Sequence, residues 1–237
     1  MRERDPLLPW LIFTGLSLFA FILLWYFGLI QRMIDSDRTY ISPIICVLYL
    51  LSSLHCLWRI LSISREGAAA QKTGEAVARD GLGSPTGAGL VARHIRDLVT
   101  KAAHQRGKRV DQTLMLRVLA DRLRGSNAFG AFASDTMLKL GLLGTIIGFI
   151  MMLAPIGALD PENRAAVRSS MSLMSDGMAV AMYTTLVGLA ASILLKVQYS
   201  ILDSATSKVF AYAVDLTEVH VVSALEGSGV QSGSPAE

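Results

Sequence analysis

Apolar residues fall in four long blocks along the chain, and polar stretches separate the blocks. The apolar blocks cover residues 7–30, 41–60, 137–156 and 178–195. No block contains an acidic residue, and each is about as long as the ~20 residues that a helix needs to cross the hydrocarbon core of a bilayer. Continuous apolar runs favour helices over the alternating pattern of barrel strands. The pattern predicts an all-α, polytopic membrane protein with four transmembrane helices and cytoplasmic helical extensions.

The first block also has the position of a secretory signal, because Arg2 and Arg4 precede its apolar run. However, the run is longer than the roughly 7–15 apolar residues of a usual signal. It ends in Trp25-Tyr-Phe-Gly28 without a small-x-small cleavage pattern. We expect the block to remain as a membrane anchor.

The polar stretches divide the chain into five predicted parts. These are two N-terminal transmembrane helices (1–62), a cytoplasmic linker with amphipathic helices (63–135), a pair of transmembrane helices joined by a short periplasmic loop (136–200), a cytoplasmic helical extension (201–225) and a disordered tail (226–237). The extension is predicted because apolar residues recur at helical spacing from Val197 to Leu216. The tail is rich in Gly and Ser, a composition typical of disorder.

The middle part begins with an Ala- and Gly-rich stretch, residues 64–89, which is typical of a flexible linker. A phosphate-binding loop is the alternative, but the Gly-Lys-Ser/Thr ending is absent and no strand precedes it. Two amphipathic helices are predicted after the linker, for packing against helices or subunits rather than for lying on lipid. Their apolar positions are Leu90, Val91, Ile95, Leu98, Val99 and Ala102 in the first run, and Val110, Leu114, Val118 and Leu119 in the second.

Charge is scarce and unevenly distributed. The chain has 52% apolar and 17% charged residues, below the roughly 25% charged residues of soluble domains. Of the 22 Lys and Arg residues, only four lie in the loop between the first and second blocks or in the loop between the third and fourth blocks. These are Arg32, Arg38, Arg164 and Arg168. Basic residues collect on the cytoplasmic side of membranes, so both termini and the middle part are predicted to be cytoplasmic. The basic residues that hold these parts on the cytoplasmic side explain the net charge of +3, so no nucleic-acid partner is needed to account for it.

The two cysteines and one histidine of the second block are candidates for chemistry. Cys46 and Cys56 lack the partner pattern of a metal site and are expected to be buried as small apolar residues. His55 lies between them, near the cytoplasmic end of the predicted helix. A structural hydrogen bond is the favoured role for this histidine, with a proton relay as the alternative.

The third and fourth blocks carry small residues at helical spacing. Gly141, Gly144 and Gly148 lie three and four residues apart, with Thr145 on the same side. Such spacing lets helix backbones approach closely. On the fourth helix, one face contains the small residues Ala181, Thr185, Gly188 and Ser192. The two stripes are compatible with a narrow ion path whose titratable group comes from another protein, and equally with ordinary small-residue packing.

These segments resemble a known family. The motifs Gly141-Leu-Leu-Gly-Thr-Ile-Ile-Gly148 and Gly177-Met-Ala-Val-Ala-Met-Tyr-Thr-Thr-Leu-Val-Gly-Leu189 are similar to the paired pore helices of the MotA/TolQ/ExbB proton-channel family. The resemblance covers about 137–195. The four-helix order with the large loop after the second helix also resembles that of the flagellar stator subunit MotA.

The resemblance implies a pentamer around the single transmembrane helices of two copies of a partner similar to MotB, TolR or ExbD. It implies that the partner carries the membrane Asp that takes and releases a proton, or less favourably a sodium ion, and that no other cofactor is needed. The matching ion-pathway positions are Thr145, Thr185, Thr184 and Ala181, and the glycines for close packing around the partner are Gly141, Gly144, Gly148 and Gly188.

The sequence also departs from the flagellar members. Its middle loop is shorter, and charged residues that engage a flagellar rotor are not matched. The favoured hypothesis is therefore a stator subunit in the bacterial inner membrane whose driven process is unassigned. A non-conducting membrane scaffold is the main alternative. A solute transporter lacks the expected inverted repeat, and an enzyme lacks a catalytic residue set.

Overall fold

Helices account for all the regular secondary structure in the computed structural model, which describes residues 7–28, 31, 39–80, 89–105, 112–125, 127–158 and 163–222. No strand is present within these ranges, which confirms the all-α class. In chain order the elements are α1 (Leu7–Tyr26), α2 (Ile41–Asp80), α3 (Leu90–Gln105), α4 (Thr113–Arg124), α5 (Asn127–Leu153), a short 3-10 helix (Ala154–Ala158), α6 (Arg164–Leu216) and a π-helix (Thr217–Val222).

Three of these helical segments are long and apolar enough to cross a membrane, and they include the second, third and fourth predicted blocks. They cover Ile41–Val77, Asn127–Gly157 and Arg164–Val219. At most 28% of the apolar window in each segment is buried inside the chain, so most of this apolar surface faces outward. The first block forms α1, a helix of 20 residues that is not among these three segments. The predicted count of four spans is therefore not confirmed.

The chain forms two compact units. The first, here called the apolar unit, contains the described residues between 8 and 57 and between 127 and 200, and the second, here called the polar unit, contains the described residues between 58 and 126 and between 201 and 222. Helices α2 and α6 contribute residues to both units.

In the polar unit, the second half of α2 corrects the sequence analysis. Residues 64–80 were predicted to belong to a flexible linker, but α2 continues through them to Asp80. Alanine is the strongest helix former, and Ile63, Ala70 and Val77 form a buried stripe at helical spacing. Residues 81–88 of the predicted linker lie outside the described residues.

The glycines of this stretch pack on the end of α6. A Cβ at Gly67 would lie 3.3 Å from a methyl carbon of Val209, and a Cβ at Gly74 would meet the Tyr212 hydroxyl. Helices α2 and α6 therefore run parallel to each other along this contact. The composition that indicated a linker instead allows two helices to pack closely.

Helix α3 confirms the first predicted amphipathic helix, since Val91, Ile95 and Leu98 are buried. Its first backbone amide, Leu90 N–H, donates to Oε2 of Glu66 on α2 at 2.9 Å. The Glu66 side chain thus satisfies one of the amides that a helix N-terminus leaves without an intrahelical partner. The side chain of Ala102, another predicted apolar position, lies outside the described residues.

The second amphipathic helix is also present, as α4, but its buried face differs from the prediction. Leu119 is buried as expected, and Leu123, which was not selected, is buried with it, whereas Leu114 and Val118 are exposed. Tertiary packing therefore buries a face of α4 that is rotated around the helix axis from the predicted face. Val110, the first position of this predicted run, lies outside the described residues.

Both transmembrane helices of the predicted pair extend beyond their apolar blocks. Helix α5 begins at Asn127, and α6 begins at Arg164 within the predicted periplasmic loop. Asn163 caps α6, because its Oδ1 accepts hydrogen bonds from the amides of Ala165 (3.1 Å) and Ala166 (3.3 Å). Hydropathy predicts only the apolar part of a helix, whereas the capping residue determines where the helix begins.

Two further predictions concern the end of α6 and the cysteines. The continuation beyond the fourth block is confirmed, since α6 reaches Leu216 and a π-helix follows to Val222. The predicted disordered tail lies outside the described residues. Cys56 is buried, Cys46 is half-buried, and neither forms a disulfide.

Candidate ion-pathway site

Helices α5 and α6 of the apolar unit pack in antiparallel directions through their glycines. A Cβ at Gly188 would lie 2.7 Å from Cα of Gly141, and a Cβ at Gly148 would lie 2.6 Å from the backbone N of Ala181. Real Cβ atoms do not approach other heavy atoms this closely. The backbones are therefore in direct contact, as glycine spacing permits, and the contact joins two helices of the same chain.

Thr184 fills the next position of this contact. A Cβ at Gly144 would overlap the Thr184 side chain, which is fully buried. The Thr184 hydroxyl donates within its own helix, to the carbonyl of Val180 at 2.9 Å, with the carbonyl of Ala181 at 3.2 Å. Ala181 itself is half-buried against Gly148. In a single chain, Thr184 therefore acts as a packing residue rather than an open polar group.

Thr145 and Thr185 lie at the edge of the same contact and are half-buried. The Thr185 hydroxyl crosses from α6 to α5 and donates to the carbonyl of Gly141 at 3.2 Å. In an α-helix that carbonyl also accepts the backbone N–H of the residue four positions later, which is Thr145. The Thr185 hydroxyl of α6 thus lies beside the turn of α5 that includes Thr145.

Hydrogen bonding limits the chemistry that these two hydroxyls can perform. Thr145 Oγ1 donates to the carbonyl of Leu142 at 2.5 Å, as Thr185 does to Gly141. A hydroxyl has one proton and two acceptor lone pairs, so both side chains have already used their donors. The sites left to a ligand are acceptors, which suit a cation or a protonated carboxyl group.

No acidic side chain lies on the described parts of α5 and the 3-10 helix after Asp135, nor on α6 between Gly177 and Ile201. Asp135 is exposed and pairs with Lys139 on the same helix at 2.6 Å. Asp176 lies one residue before Gly177 and is half-buried. Within the described residues, no group of three or more His, Cys, Asp or Glu is placed to hold a metal ion.

The α5–α6 contact is longer than the sequence motifs indicated. Ser134 Oγ donates to the carbonyl of Ser192 at 2.9 Å, and Gly130 lies against the ring of Tyr199. At the other end, a Cβ at Gly177 would lie 2.5 Å from the amide N of Met152. None of Ser134, Gly130 and Gly177 was selected as a site residue. The signal that could have found them is helical spacing: Ser134 lies seven residues before Gly141, Gly130 lies four residues before Ser134, and Gly177 lies four residues before Ala181.

His55 is part of a polar and aromatic cluster rather than of an open path. Its Nδ1 lies 2.8 Å from the Tyr199 hydroxyl, and its ring packs edge-on against Phe129 with centroids 5.1 Å apart. The Tyr199 hydroxyl also lies 3.5 Å from the carbonyl of Ser52. These contacts favour the structural role over the proton relay.

The fold and this site define a class of protein. The chain is a helical membrane protein whose last two membrane helices form a glycine-packed pair. Half-buried hydroxyl groups lie at the edge of the pair, and the described residues 136–158 and 177–201 include no acidic side chain.

Comparison with known proteins then gives the family. A model of the MotA/TolQ/ExbB proton channel family matches residues 86–213, more than half of the chain. The protein belongs to this family. The match is wider than the 137–195 that the motifs covered, and it includes α3 and α4 as well as the helix pair.

No curated protein and no solved structure matches the chain significantly. The family is one of proton channels and not of enzymes. Membership supports an ion-channel role of the stator type and, together with the apolar helices, a membrane location.

Proposed function

We propose that the protein is the channel-forming stator subunit of a proton-driven rotary motor in the bacterial inner membrane. The observation that carries the proposal is the pair of half-buried threonines, Thr145 and Thr185, beside the Gly141 carbonyl in a member of a proton-channel family. The remaining parts of the proposal are a pentamer around a dimer similar to MotB, TolR or ExbD, and a driven process in the cell envelope.

Thr145 and Thr185 would act on the carboxyl group of the partner. Because their protons are donated to backbone carbonyls, their free lone pairs accept a hydrogen bond from a protonated carboxyl and offer nothing to an ionised one. The neutral carboxyl is thus held at this position, and the ionised carboxyl is held less well. As the carboxyl meets the same threonine pair on successive subunits, alternating protonation produces stepwise rotation of the pentamer.

The glycines give the threonine pair a fixed position. Direct backbone contact at Gly141, Gly148 and Gly188 leaves α5 and α6 little freedom to slide, since a closely packed contact has few alternative arrangements. A rigid pair keeps the Thr185 hydroxyl at the Gly141 carbonyl and the Thr145 hydroxyl at the Leu142 carbonyl. The role of Gly141, Gly144, Gly148 and Gly188 in packing around a partner remains part of the proposal.

The proposed orientation rests on the distribution of basic residues. Four of the 22 lie in the two loops assigned to the periplasm, so both termini and the polar unit are assigned to the cytoplasm. Proton transport is favoured over sodium transport because, apart from Thr145 and Thr185, this part of the contact has few polar side chains to replace the hydration shell of a sodium ion.

Replacing Thr185 tests the proposal. In vesicles that contain the protein and its single-span partner, we expect Thr185→Val to lower proton flux about five- to tenfold, because one hydrogen bond contributes about 1 kcal/mol. Thr185→Ser should keep most of the flux. Thr136→Val is the matched control, because that hydroxyl donates to the carbonyl of Phe132 at 2.8 Å within its own helix. Unchanged flux in Thr185→Val would contradict the proposal.

A second candidate, a non-conducting scaffold, is favoured by one observation. The predicted packing glycines already contact the facing helix of the α5–α6 pair within the chain, as they would if they served structure alone. A scaffold would form stable oligomers without the partner and would carry no proton flux, so the same vesicles separate the two candidates.

A further inference from the structure

A narrow groove lies between α3 and α4 of the polar unit, away from the threonine pair in sequence and in role. It encloses about 130 Å³, well below the roughly 300–1,000 Å³ of sites for small molecules and cofactors. It has room for one side chain rather than for a cofactor. Its lining residues are Leu90, His94 and Asp97 of α3 and Leu114, Met115, Val118, Leu119 and Arg122 of α4.

His94 is a polar group inside this mainly apolar groove. Its side chain is only 6% exposed, and its Nε2 has no hydrogen-bond partner among the residues that the structure describes. Burial lowers the pKa of His94, while the nearby Asp97 acts in the opposite direction. Buried polar groups normally have a partner, so Nε2 is a hydrogen-bonding group that the described residues leave unused.

Leu114 and Val118 give the groove an apolar rim. They lie one helical turn apart on α4, and they are 73% and 46% exposed. Exposed apolar side chains next to a groove are typical of an interaction surface, where one buried anchor residue provides much of the binding energy. The groove therefore fits an apolar side chain of a binding partner.

Charge identifies the kind of partner. The groove lining has one basic and one acidic side chain, Arg122 and Asp97. The described residues of α3 and α4 together contain six basic and two acidic side chains, and helices of this sign attract an acidic segment. A second copy of the chain would bring the same positive charge. An anionic bilayer matches the charge, but it does not place a single directed group at the buried Nε2 of His94. The basic residues are Arg93, Arg96, Lys101, Arg117, Arg122 and Arg124, and the acidic ones are Asp97 and Asp121.

We propose that the groove between α3 and α4 docks an acidic segment of a partner protein. One apolar side chain of that segment enters between Leu114 and Val118, and a polar group of the segment hydrogen-bonds His94 Nε2. The carboxylates of the segment pair with basic residues such as Arg122. This docking function goes beyond the proposed ion pathway and does not depend on it.

Photo-crosslinking tests the docking surface in the full chain. The probe is p-benzoylphenylalanine at position 118, activated in cells that contain the protein in its native membrane, and the cross-linked peptide is sequenced by mass spectrometry. We expect one partner protein, joined through an acidic segment with an apolar residue near the cross-link. The same probe at Arg93, an exposed position of α3 that does not line the groove, is expected to give little of this product.

Two variants connect the product to the groove. His94→Leu and Arg122→Glu should each lower the yield at least about tenfold, which is the scale of losing one anchor contact. His94→Gln, which keeps a hydrogen-bonding group, should retain more of the yield than His94→Leu. Helix content and thermal unfolding of each variant are compared with the unsubstituted chain, and a variant with unchanged values is used for the comparison.

Four outcomes would overturn the docking proposal. These are cross-links to a second copy of the chain, cross-links to lipid alone, no product, and a product whose yield neither His94→Leu nor Arg122→Glu changes. Proton flux measured with the pore partner does not depend on this groove. Failure of the docking proposal therefore leaves the proposed ion pathway standing, and loss of flux leaves the docking surface standing.

Discussion

At the scale of single residues, Gly188 shows how small side chains determine this structure. Its Cα lies so close to α5 that an added Cβ would be 2.7 Å from Cα of Gly141 and 2.8 Å from the carbonyl O of Met137. Both neighbours are backbone atoms, which cannot move aside as a flexible side chain does. The two helices have to separate to accept any larger residue.

Gly188→Ala is therefore expected to lower the free energy of unfolding of the detergent-solubilised protein by about 1–3 kcal/mol, the usual cost of overpacking. Gly157→Ala is the control, because a Cβ there meets no heavy atom within 4 Å. Thermal or denaturant unfolding measures both variants. Equal stability of Gly188→Ala and Gly157→Ala would show that the helices do not make this contact.

His94 gives the polar unit a pH dependence with a defined sign. Burial lowers its pKa in the folded chain, so the unfolded chain binds the proton more readily, and protonation favours unfolding. The stability of the neutral form is fully present above the unfolded value of about 6.5. It is lost as the pH falls from there toward the lowered folded value.

Thermal unfolding at pH 8 and at pH 5.5 tests this dependence. The unfolding temperature of the unsubstituted chain should fall further between these conditions than that of His94→Gln, which lacks the titrating ring. Subtracting the two responses removes the contribution of all other groups. An identical fall in both proteins would mean that His94 is as easily protonated in the folded chain as in the unfolded one.

At the scale of elements, the second half of α2 is the part of the fold that sequence reasoning read incorrectly. Ala- and Gly-rich composition is shared by flexible linkers and by helices that pack through small residues. The contacts of Gly67 with Val209 and of Gly74 with Tyr212 distinguish the two, and they involve residues far away in the sequence. Composition within a short window cannot contain that information.

A proline substitution tests directly whether residues 64–80 form a helix or a flexible linker. Ala68 is exposed and lies inside α2, so Ala68→Pro removes a helical hydrogen bond without disturbing a buried side chain. We expect a loss of about 3 kcal/mol in stability and faster amide exchange in residues 64–80. Ala68→Ser is the control. A linker would accept the proline without change, and that result would contradict the helix.

The candidate site was predictable in its residue types but not in its geometry. Helical spacing identified Gly141, Gly148 and Gly188 as small positions, because a period of 3.6 residues defines a face. It did not show that these faces meet each other. Thr184 and Thr185 are neighbours in sequence but point about 100° apart around the helix axis, so packing buries the first and leaves the second at the edge.

At the scale of the whole molecule, four apolar blocks were readable because a bilayer demands long apolar helices. Three of the helices that contain these blocks are long and apolar enough to cross a membrane, and α1, which contains the first block, is not among them. The polar unit was harder to predict, since tertiary contacts such as the hydrogen bond from Leu90 N–H to Glu66 define its elements. Membership of the MotA/TolQ/ExbB family connects these parts to a channel function.

The central claim is that this chain conducts protons only together with a partner that supplies the titrating carboxyl group. The most direct measurement is proton flux into vesicles under an imposed pH gradient, followed with an internal pH-sensitive dye. We predict flux when the chain and its single-span partner are both present, and none when the membrane Asp of that partner is changed to Asn. Equal flux from both complexes, or from the chain alone, would contradict the account.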